Sequence, residues 1–549
     1  MTRPPPCAGA SPVGENRLAM EADYVIVGAG AAGCVLAARL CEDPTISVLL
    51  LESGGRGRHP LLRIPKGFYL TMQHPEYAYF YPTGSVSPGG PDEVWLRGKG
   101  LGGSTAVNGM MYIRGWAADY DRLAAAGDPG WGWAGMLPVF RAMEDHELGA
   151  SLLRGVGGPL HVSVTAVADP VVAAMLQSAT AAGLADVDDV NASDAERIGR
   201  TPVTIHRGVR ISAATAFLRP ARRRRNLTVL DRTHVGHVTL EGGRAVGVVA
   251  RRCGERLAVR ARREVILAAG SIESPQLLER SGIGDPVVLT RAGVEPRVES
   301  PHVGERLLEH RGMTVQARLR PGLGLNRRLN TLPRLLFAGA GYVFTRRGPV
   351  ATGPYDLVGQ LRSAPGEPRP DVQILLTPMS LDLGSTRLRL ARHAGMMIQG
   401  YQLRPTTPSA VHIRSADPAD SPVIEARYLE TELDRTVTGR ILARLRGMMA
   451  EGPLADLVIG EDAPGPDVVT PEQAVEYARA TGIGIYHAVG SCAMGPNDED
   501  VVDARLRVRG VRGLRVVDAS VFPAMPSGNT AAPTMALAWR AADLVGAEA

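Results

Sequence analysis

Apolar residues near the N-terminus of this chain fall into short unbroken runs, and further along they take alternating or helical spacings. Residues 23–27 form an apolar run, an Ala/Leu-rich stretch with helical spacing follows, and 46–51 is a second apolar run. Unbroken runs of this length, separated by a helix, predict buried parallel strands at the start of an α/β unit. Periodicity predicts short amphipathic helices at 119–126 and 135–144, a strand at 160–164 and a helix at 170–182. Strands follow at 227–230, 235–240 and 245–251, with Gly242-Gly243 as the hairpin between the last two. Residues 264–268 predict a buried strand, followed by a helix that starts near Ser274-Pro275, a Ser cap with Pro at the first helical position. From about 312 to 460 the pattern becomes strands with Pro/Gly turns (372–376, 396–403, 410–413) and then a helix at 430–449. That region suits an antiparallel sheet carrying substrate contacts. The Pro/Gly-rich stretch 54–103 reads as a long loop.

Between the first two strands lies VGAGAAG, in which Gly28, Gly30 and Gly33 give G-x-G-x-x-G and Ala31 and Ala32 open the helix. The glycines allow a tight turn, close approach of backbone to a pyrophosphate, and close helix–strand packing. The helix N-terminus offers free N–H groups to the phosphates. Glu52 ends the second strand 19 residues after Gly33, where a carboxylate accepts ribose hydroxyls. It would repel a 2′-phosphate, so NAD or FAD is the ligand and NADP is not.

Composition changes this picture little. The 549 residues suggest two domains or one with a large insertion. Apolar residues make up 45% and charged residues 21%, as in soluble globular proteins. The net charge of +5 comes mostly from arginine, and the cluster at 222–225 reads as a solvated turn rather than a nucleic-acid patch. The five cysteines show no C-x-x-C spacing, so no metal site and no disulfide framework is expected, and a reducing, cytoplasmic setting fits. No apolar run reaches the ~20 residues of a transmembrane segment. Residues 1–20 lack the apolar core of a secretory signal and read as a disordered leader.

Three further segments carry candidate chemistry. RGKGLGGSTAVNGMMYIRG at 97–115 holds six glycines, with Arg97, Gly102, Gly103, Asn108, Gly109, Met110 and Met111, and would let backbone lie flat against a large planar ligand. GSIESPQLLERSGIG at 270–284 follows the buried strand. YHAVGSCAMG at 486–495 sets His487 among small and apolar residues, where an imidazole can be held neutral and act as a base. Asn529 lies in SGNT, in the loop before the last helix, where its amide can donate to an oxyanion. His146, His206, His234, His302 and His310 have no comparable setting in the sequence.

Taken together, GKGLGGSTAVNGMMYIRG, GSIESPQLLERSGIG, YHAVGSCAMG and PSGNTAAPT resemble, in order, the signatures and active-site segments of the glucose–methanol–choline (GMC) oxidoreductases. The wording is closest to the choline dehydrogenase and alcohol dehydrogenase branch. The resemblance implies an α/β (α+β overall) fold, with a doubly wound, Rossmann-like FAD-binding domain (21–160, 212–312 and 485–549) and a substrate domain on an antiparallel sheet (161–211 and 313–484). It implies His487 as catalytic base and Asn529 as its partner. Asp518, Ala519 and Thr530 would contact the cofactor, as would Asn108, Gly109, Met110 and Met111, and Val235 would meet the adenine through its backbone. Where some members attach FAD through a His, this chain has Val107, so non-covalent FAD is expected. Glu309-His310 replaces the family's Asp-His, a change expected not to affect chemistry.

The expected reaction is oxidation of a CH–OH group, the His base taking the hydroxyl proton while hydride passes to flavin N5. Oxygen or a quinone-type carrier would then take the electrons. A hydroxynitrile lyase of the same fold is the alternative; a photodecarboxylase, a flavin-binding sensor and an NAD-dependent dehydrogenase are weaker ones. Tyr77, Tyr79 and Trp95 could cage a quaternary ammonium, though ordinary packing is the expectation. The substrate itself is not named by the sequence.

Overall fold

A computed structural model describes residues 19–86, 92–166, 169–384 and 389–548. The apolar N-terminal run becomes strand Ala19–Val27, parallel to Val48–Leu51 on one side and to Glu255–Leu267 on the other. All four residues of Val48–Leu51 are buried, which is why the sequence shows no alternation there. The seven-stranded sheet runs Leu227–Leu230, Val48–Leu51, Ala19–Val27, Glu255–Leu267, Arg244–Arg252, Thr233–Glu241, with Leu514–Val516 also on Glu255–Leu267. The 13-residue strand Glu255–Leu267 serves two sheets' worth of pairing: its first half joins the antiparallel Thr233–Glu241/Arg244–Arg252 hairpin, its second half lies parallel to Leu514–Val516. Helices Ala31–Leu40 and Ala531–Ala547 share the apolar core of this sheet.

An eight-stranded sheet builds the second body of the fold. Its order is Val458–Ala463, Arg311–Leu319, Gly395–Gln402, Val372–Thr377, Leu357–Leu361, Arg197–Arg200, Ala185–Val187, with Ile483–Gly484 also pairing with Arg311–Leu319. Its long strands pair antiparallel. Helix Glu432–Ala450 covers one face, so closely that a Cβ on Gly400 would come within 2.7 Å of Ile441. Every residue of Val372–Thr377 and Gly395–Gln402 is buried, so both faces are covered.

Several expectations need correction. The stretch at 54–103 is not one long loop: Ala78–Ser85 and Asp92–Gly98 form an antiparallel hairpin within it. The helix expected from Ser274-Pro275 starts at Gly270 and runs to Arg280, with Pro275 inside it. Pro275 has no N–H for the Ser271 carbonyl four residues back, and that carbonyl accepts the Ser491 hydroxyl instead, at 2.7 Å. The region at 312–460 was read as strands up to residue 430, yet Leu332–Thr345 is a helix. Finally, Cys253 is disulfide-bonded where the sequence suggested no disulfide framework, whereas Cys34, Cys41 and Cys492 are free and buried. The leader at 1–20 lies outside the described residues up to residue 18. Arg222–Arg225 do stand exposed in a turn. Among the described residues no helix is long and apolar enough to cross a membrane.

Candidate active site

The glycine turn meets the 97–115 loop directly. The Gly102 N–H donates to the Ala29 carbonyl at 2.8 Å, and a Cβ on Gly103 would lie 2.7 Å from the Gly30 Cα. Gly28 has a φ of +102°, and a Cβ there would meet the Ala268 oxygen at 2.5 Å; on Gly33 it would meet the Gly28 oxygen at 1.8 Å. Packing within the protein therefore dictates glycine at both positions. Gly30 differs, because its nearest neighbour to such a Cβ is 4.0 Å away. Packing within the protein does not dictate glycine at this position, which stands at the N-terminus of Ala31–Leu40.

Glu52 is buried, and its carboxylate accepts the backbone N–H groups of Ala29 (2.9 Å), Gly54 (2.7 Å) and Gly100 (3.1 Å). It fastens the glycine turn to the second loop, so any ribose hydroxyl shares an already engaged carboxylate. Asp518 plays a similar part at the other end. It accepts Gly270 N–H (2.8 Å) and Ser274 Oγ–H (2.6 Å) with one oxygen, and Ser520 N–H (2.8 Å) and Oγ–H (2.6 Å) with the other. Ala519 follows it, and Thr530 stands at the start of the last helix. Asn108 turns its side-chain oxygen to Met110 N–H and to buried Arg210, each at 3.0 Å, and Met110 takes a φ of +63°. Met110 and Met111 are buried, and Val235 sits in the strand Thr233–Glu241. Arg97 lies beside Glu309, 3.3 Å from its carboxylate.

His487 and Asn529 meet. The Asn529 Nδ2 lies 3.0 Å from His487 Nε2. Asn529 cannot be turned over, because its Oδ1 accepts from Gln373 Nε2 at 3.1 Å. Gln373 stands opposite Tyr401 in neighbouring strands and donates to its hydroxyl too. Gln373 is itself held by Gln360, whose Oε1 accepts from Trp116 and buried Arg197, each at 2.8 Å. On the other side, His487 Nδ1 lies 2.9 Å from His310 Nδ1, and His310 Nε2 lies 3.0 Å from the Leu403 carbonyl oxygen. A carbonyl only accepts, so His310 carries its proton on Nε2 and its Nδ1 is an acceptor. His487 then donates from Nδ1, and its Nε2 is left with the lone pair.

Both imidazoles are neutral. Burial, the neighbouring His310 and Arg97 hold His487 well below the usual histidine range. Burial holds His310 down at about 4, against the pull of the Leu403 carbonyl. Glu309, buried beside them, accepts N–H from His310 (3.0 Å), His487 (2.7 Å) and Ala488 (3.0 Å). Burial raises its carboxyl and Arg97 lowers it. Tyr486, next to His487, takes a φ of +64°, unusual for a residue with a side chain. In the sequence His310 has no setting comparable to that of His487, and Glu309 is expected to be without consequence. The structure puts both against His487. Their signal was present in the Asp-His-like pair itself.

Tyr77, Tyr79 and Trp95 do not form a cage. Tyr77 packs on His59 and His74, Tyr79 on Tyr81 and Lys99, and Trp95 on Tyr428 and Arg97.

The sequence matches the GMC oxidoreductase N-terminal region over residues 22–311 and the GMC oxidoreductase C-terminal region over 405–538. The chain belongs to the GMC oxidoreductase family. It is 38% identical over 536 residues to the mitochondrial choline dehydrogenase of Homo sapiens, covering 96% of this chain and 90% of that protein. It is 36% identical to the oxygen-dependent choline dehydrogenase of Vibrio vulnificus (strain YJ016), covering 95% and 94%. Among solved structures it resembles pyridoxine 4-oxidase from Mesorbium loti (TM-score 0.86, 29% identity, 96% of this chain and 99% of that one). It also resembles formate oxidase (TM-score 0.88, 25% identity, 96% and 99%). The chain is thus an FAD-dependent oxidoreductase with the α/β fold of its family.

Proposed function

We propose that this GMC oxidoreductase oxidises an alcohol to the aldehyde or ketone, with His487 as base and Asn529 as its partner. One observation carries the reading: the chain of hydrogen bonds from Gln373 through Asn529, His487 and His310 to Leu403 leaves His487 Nε2 unprotonated and facing the Asn529 amide. A substrate hydroxyl that replaces the Asn529–His487 hydrogen bond would accept from Asn529 Nδ2 and give its proton to His487 Nε2. General-base catalysis of this kind contributes typically ~10²–10⁴-fold, and the oriented amide favours the developing alkoxide. When bound, FAD would supply a two-electron acceptor for the hydride that leaves the carbinol carbon.

Gly28, Gly30 and Gly33, with Ala31 and Ala32, would hold the pyrophosphate. Asp518, Ala519, Thr530, Val235 and the 97–111 loop would hold the rest of the cofactor. Val107 is buried and aliphatic, so FAD is held non-covalently in this reading; acid precipitation should leave the yellow colour in the supernatant. The domain division given above and a cytoplasmic location, favoured by three free buried thiols though not by the Cys253 bridge, belong to the same proposal. The named relatives are dehydrogenases and oxidases, which favours oxidation over a lyase reaction. Anaerobic stopped-flow mixing with choline and with aliphatic, aryl and polyol alcohols tests it. At least one should bleach the absorption near 450 nm; a cyanohydrin cleaved without bleaching would overturn the reading. Repeating the mixing with oxygen and with a quinone identifies the acceptor.

A further inference from the structure

Helix Leu332–Thr345 is almost wholly uncovered. Of its side chains Tyr342 alone is buried, its hydroxyl reaching the Gly208 carbonyl at 3.0 Å. Phe337 is 83% exposed, Phe344 88%, Leu332 69%, Leu336 63% and Val343 61%. Leu332, Leu336 and Val343 line up along one face, and Phe337 and Phe344, seven residues apart, stand beside them. Single exposed apolar residues are ordinary, but a contiguous patch of large ones marks an interaction surface. Nothing in the protein's own chemistry repays leaving two phenylalanines in water.

The charge around the patch decides what covers it. Arg327, Arg328, Arg334, Arg346 and Arg347 are all exposed at or beside the two ends of this helix. No Asp or Glu occurs between Glu309 and Asp356. Among the described residues none of the five arginines is paired with a carboxylate: Arg334 bonds Asn330 at 3.4 Å, and Arg346 lies 5.0 Å over the Tyr342 ring. A second copy docking through this face would bring like charges together. An anionic partner would neutralise them.

We infer that the helix Leu332–Thr345 seats the protein on an anionic lipid surface, its apolar face in the acyl boundary and the flanking arginines on the headgroups. Helices that lie in a membrane interface combine such a face with a basic rim. At 14 residues this one is too short to span a bilayer, and lies along it. Its C-terminal end runs through Pro349–Ala351 to Gly353, whose carbonyl accepts from buried Lys66, and to Pro354, 2.9 Å from where a Cβ on Gly109 would be. The segment that follows the helix therefore packs on the loop that carries Asn108 and Met110.

Sedimentation of the holoenzyme with vesicles of phosphatidylglycerol and phosphatidylcholine, or of phosphatidylcholine alone, tests this without turnover. The anionic vesicles should carry the yellow protein down and the neutral ones should not. The double variant Phe337→Ser/Phe344→Ser should bind at least tenfold more weakly, and Arg327→Gln/Arg328→Gln about fivefold more weakly per arginine, both keeping their flavin absorption as a check on folding. Holoenzyme that stays in the supernatant with anionic vesicles, or a serine variant that binds as the parent does, would overturn the inference. So would a dimer that the serine variant splits, without vesicle binding by the parent, since the face would then pair two copies.

Discussion

His310 Nδ1 lies 2.9 Å from His487 Nδ1, and this contact between two neutral imidazoles decides which nitrogen of His487 is free to take a proton. The decision originates at the Leu403 carbonyl, which fixes the proton of His310 on Nε2. His310 does not face Asn529; it acts through His487, as a positioning residue. His310→Ala should lower the reductive half-reaction roughly ten- to a hundredfold, by analogy with other outer partners of imidazoles. His310→Gln offers an amide oxygen to His487 and an amide N–H to Leu403, and should restore part of the loss. A merely structural role predicts no rescue, and the two variants would then have equal rates and the same pH profile.

His487→Ala should keep bound, yellow FAD and lose the general-base contribution, ~10²–10⁴-fold in flavin reduction. Reduction at the parent's speed would remove His487 from the chemistry.

Asn529→Ala should cost less than His487→Ala, because it removes a hydrogen bond to the developing alkoxide and leaves the proton acceptor in place. Gln373→Leu frees the Asn529 amide to turn over, so it should reproduce most of the Asn529→Ala loss. Unchanged kinetics in both would separate the pair from the reaction.

Gly30→Ala and Gly33→Ala should fail in different ways. The alanine at 30 meets no protein atom closer than 4.0 Å, so the apoprotein should keep its thermal midpoint and bind FAD roughly tenfold or more weakly. The alanine at 33 collides with the Gly28 oxygen at 1.8 Å, so it should destabilise the apoprotein itself. Equal thermal losses would mean that Gly30 is a packing glycine.

Acid should weaken the fold through His310. Its folded value of about 4 lies below its unfolded value of 6.5, so the unfolded chain binds the extra proton. The contribution, on the order of 3 kcal/mol, is fully present above pH ~6.5 and is lost progressively as pH falls towards 4. Urea midpoints measured across that range should fall more steeply in the parent than in His310→Gln. Parallel curves would place the sensitivity elsewhere.

Much of the N-terminal body was legible because its strands are buried on both faces and the glycine turn sits where two of them meet. The Thr233–Glu241/Arg244–Arg252 hairpin was equally plain from Gly242-Gly243. Elsewhere local pattern misled. Leu332–Thr345 carries Pro333, Gly339 and Gly341 among apolar residues, which looks like strand and turn, yet Pro333 sits in the first helical turn, where it is tolerated. Ser274-Pro275 looked like a helix start because the compensating hydroxyl, Ser491, is more than two hundred residues away. A separation of 177 residues likewise hid the partner of His310. The Glu309-His310 pair was its one local signal, and His310 acquires a role only when Arg311–Leu319 pairs with Ile483–Gly484 and draws His310 and His487 together.

The two serines that bracket this junction carry a last consequence. Ser271 Oγ donates to the Ala488 carbonyl at 2.6 Å and Ser491 Oγ to the Ser271 carbonyl, so the stretch bearing His487 is stitched on both sides to the strand–helix corner at 268–271. That corner follows strand Glu255–Leu267 of the seven-stranded sheet, whereas Gln373, and Leu403 through His310, reach the same His487–Asn529 pair from the antiparallel sheet. On the proposed function, a change of substrate would then fall on residues of the interposed sheet other than these two, while His487 keeps its attachment to the strand–helix corner.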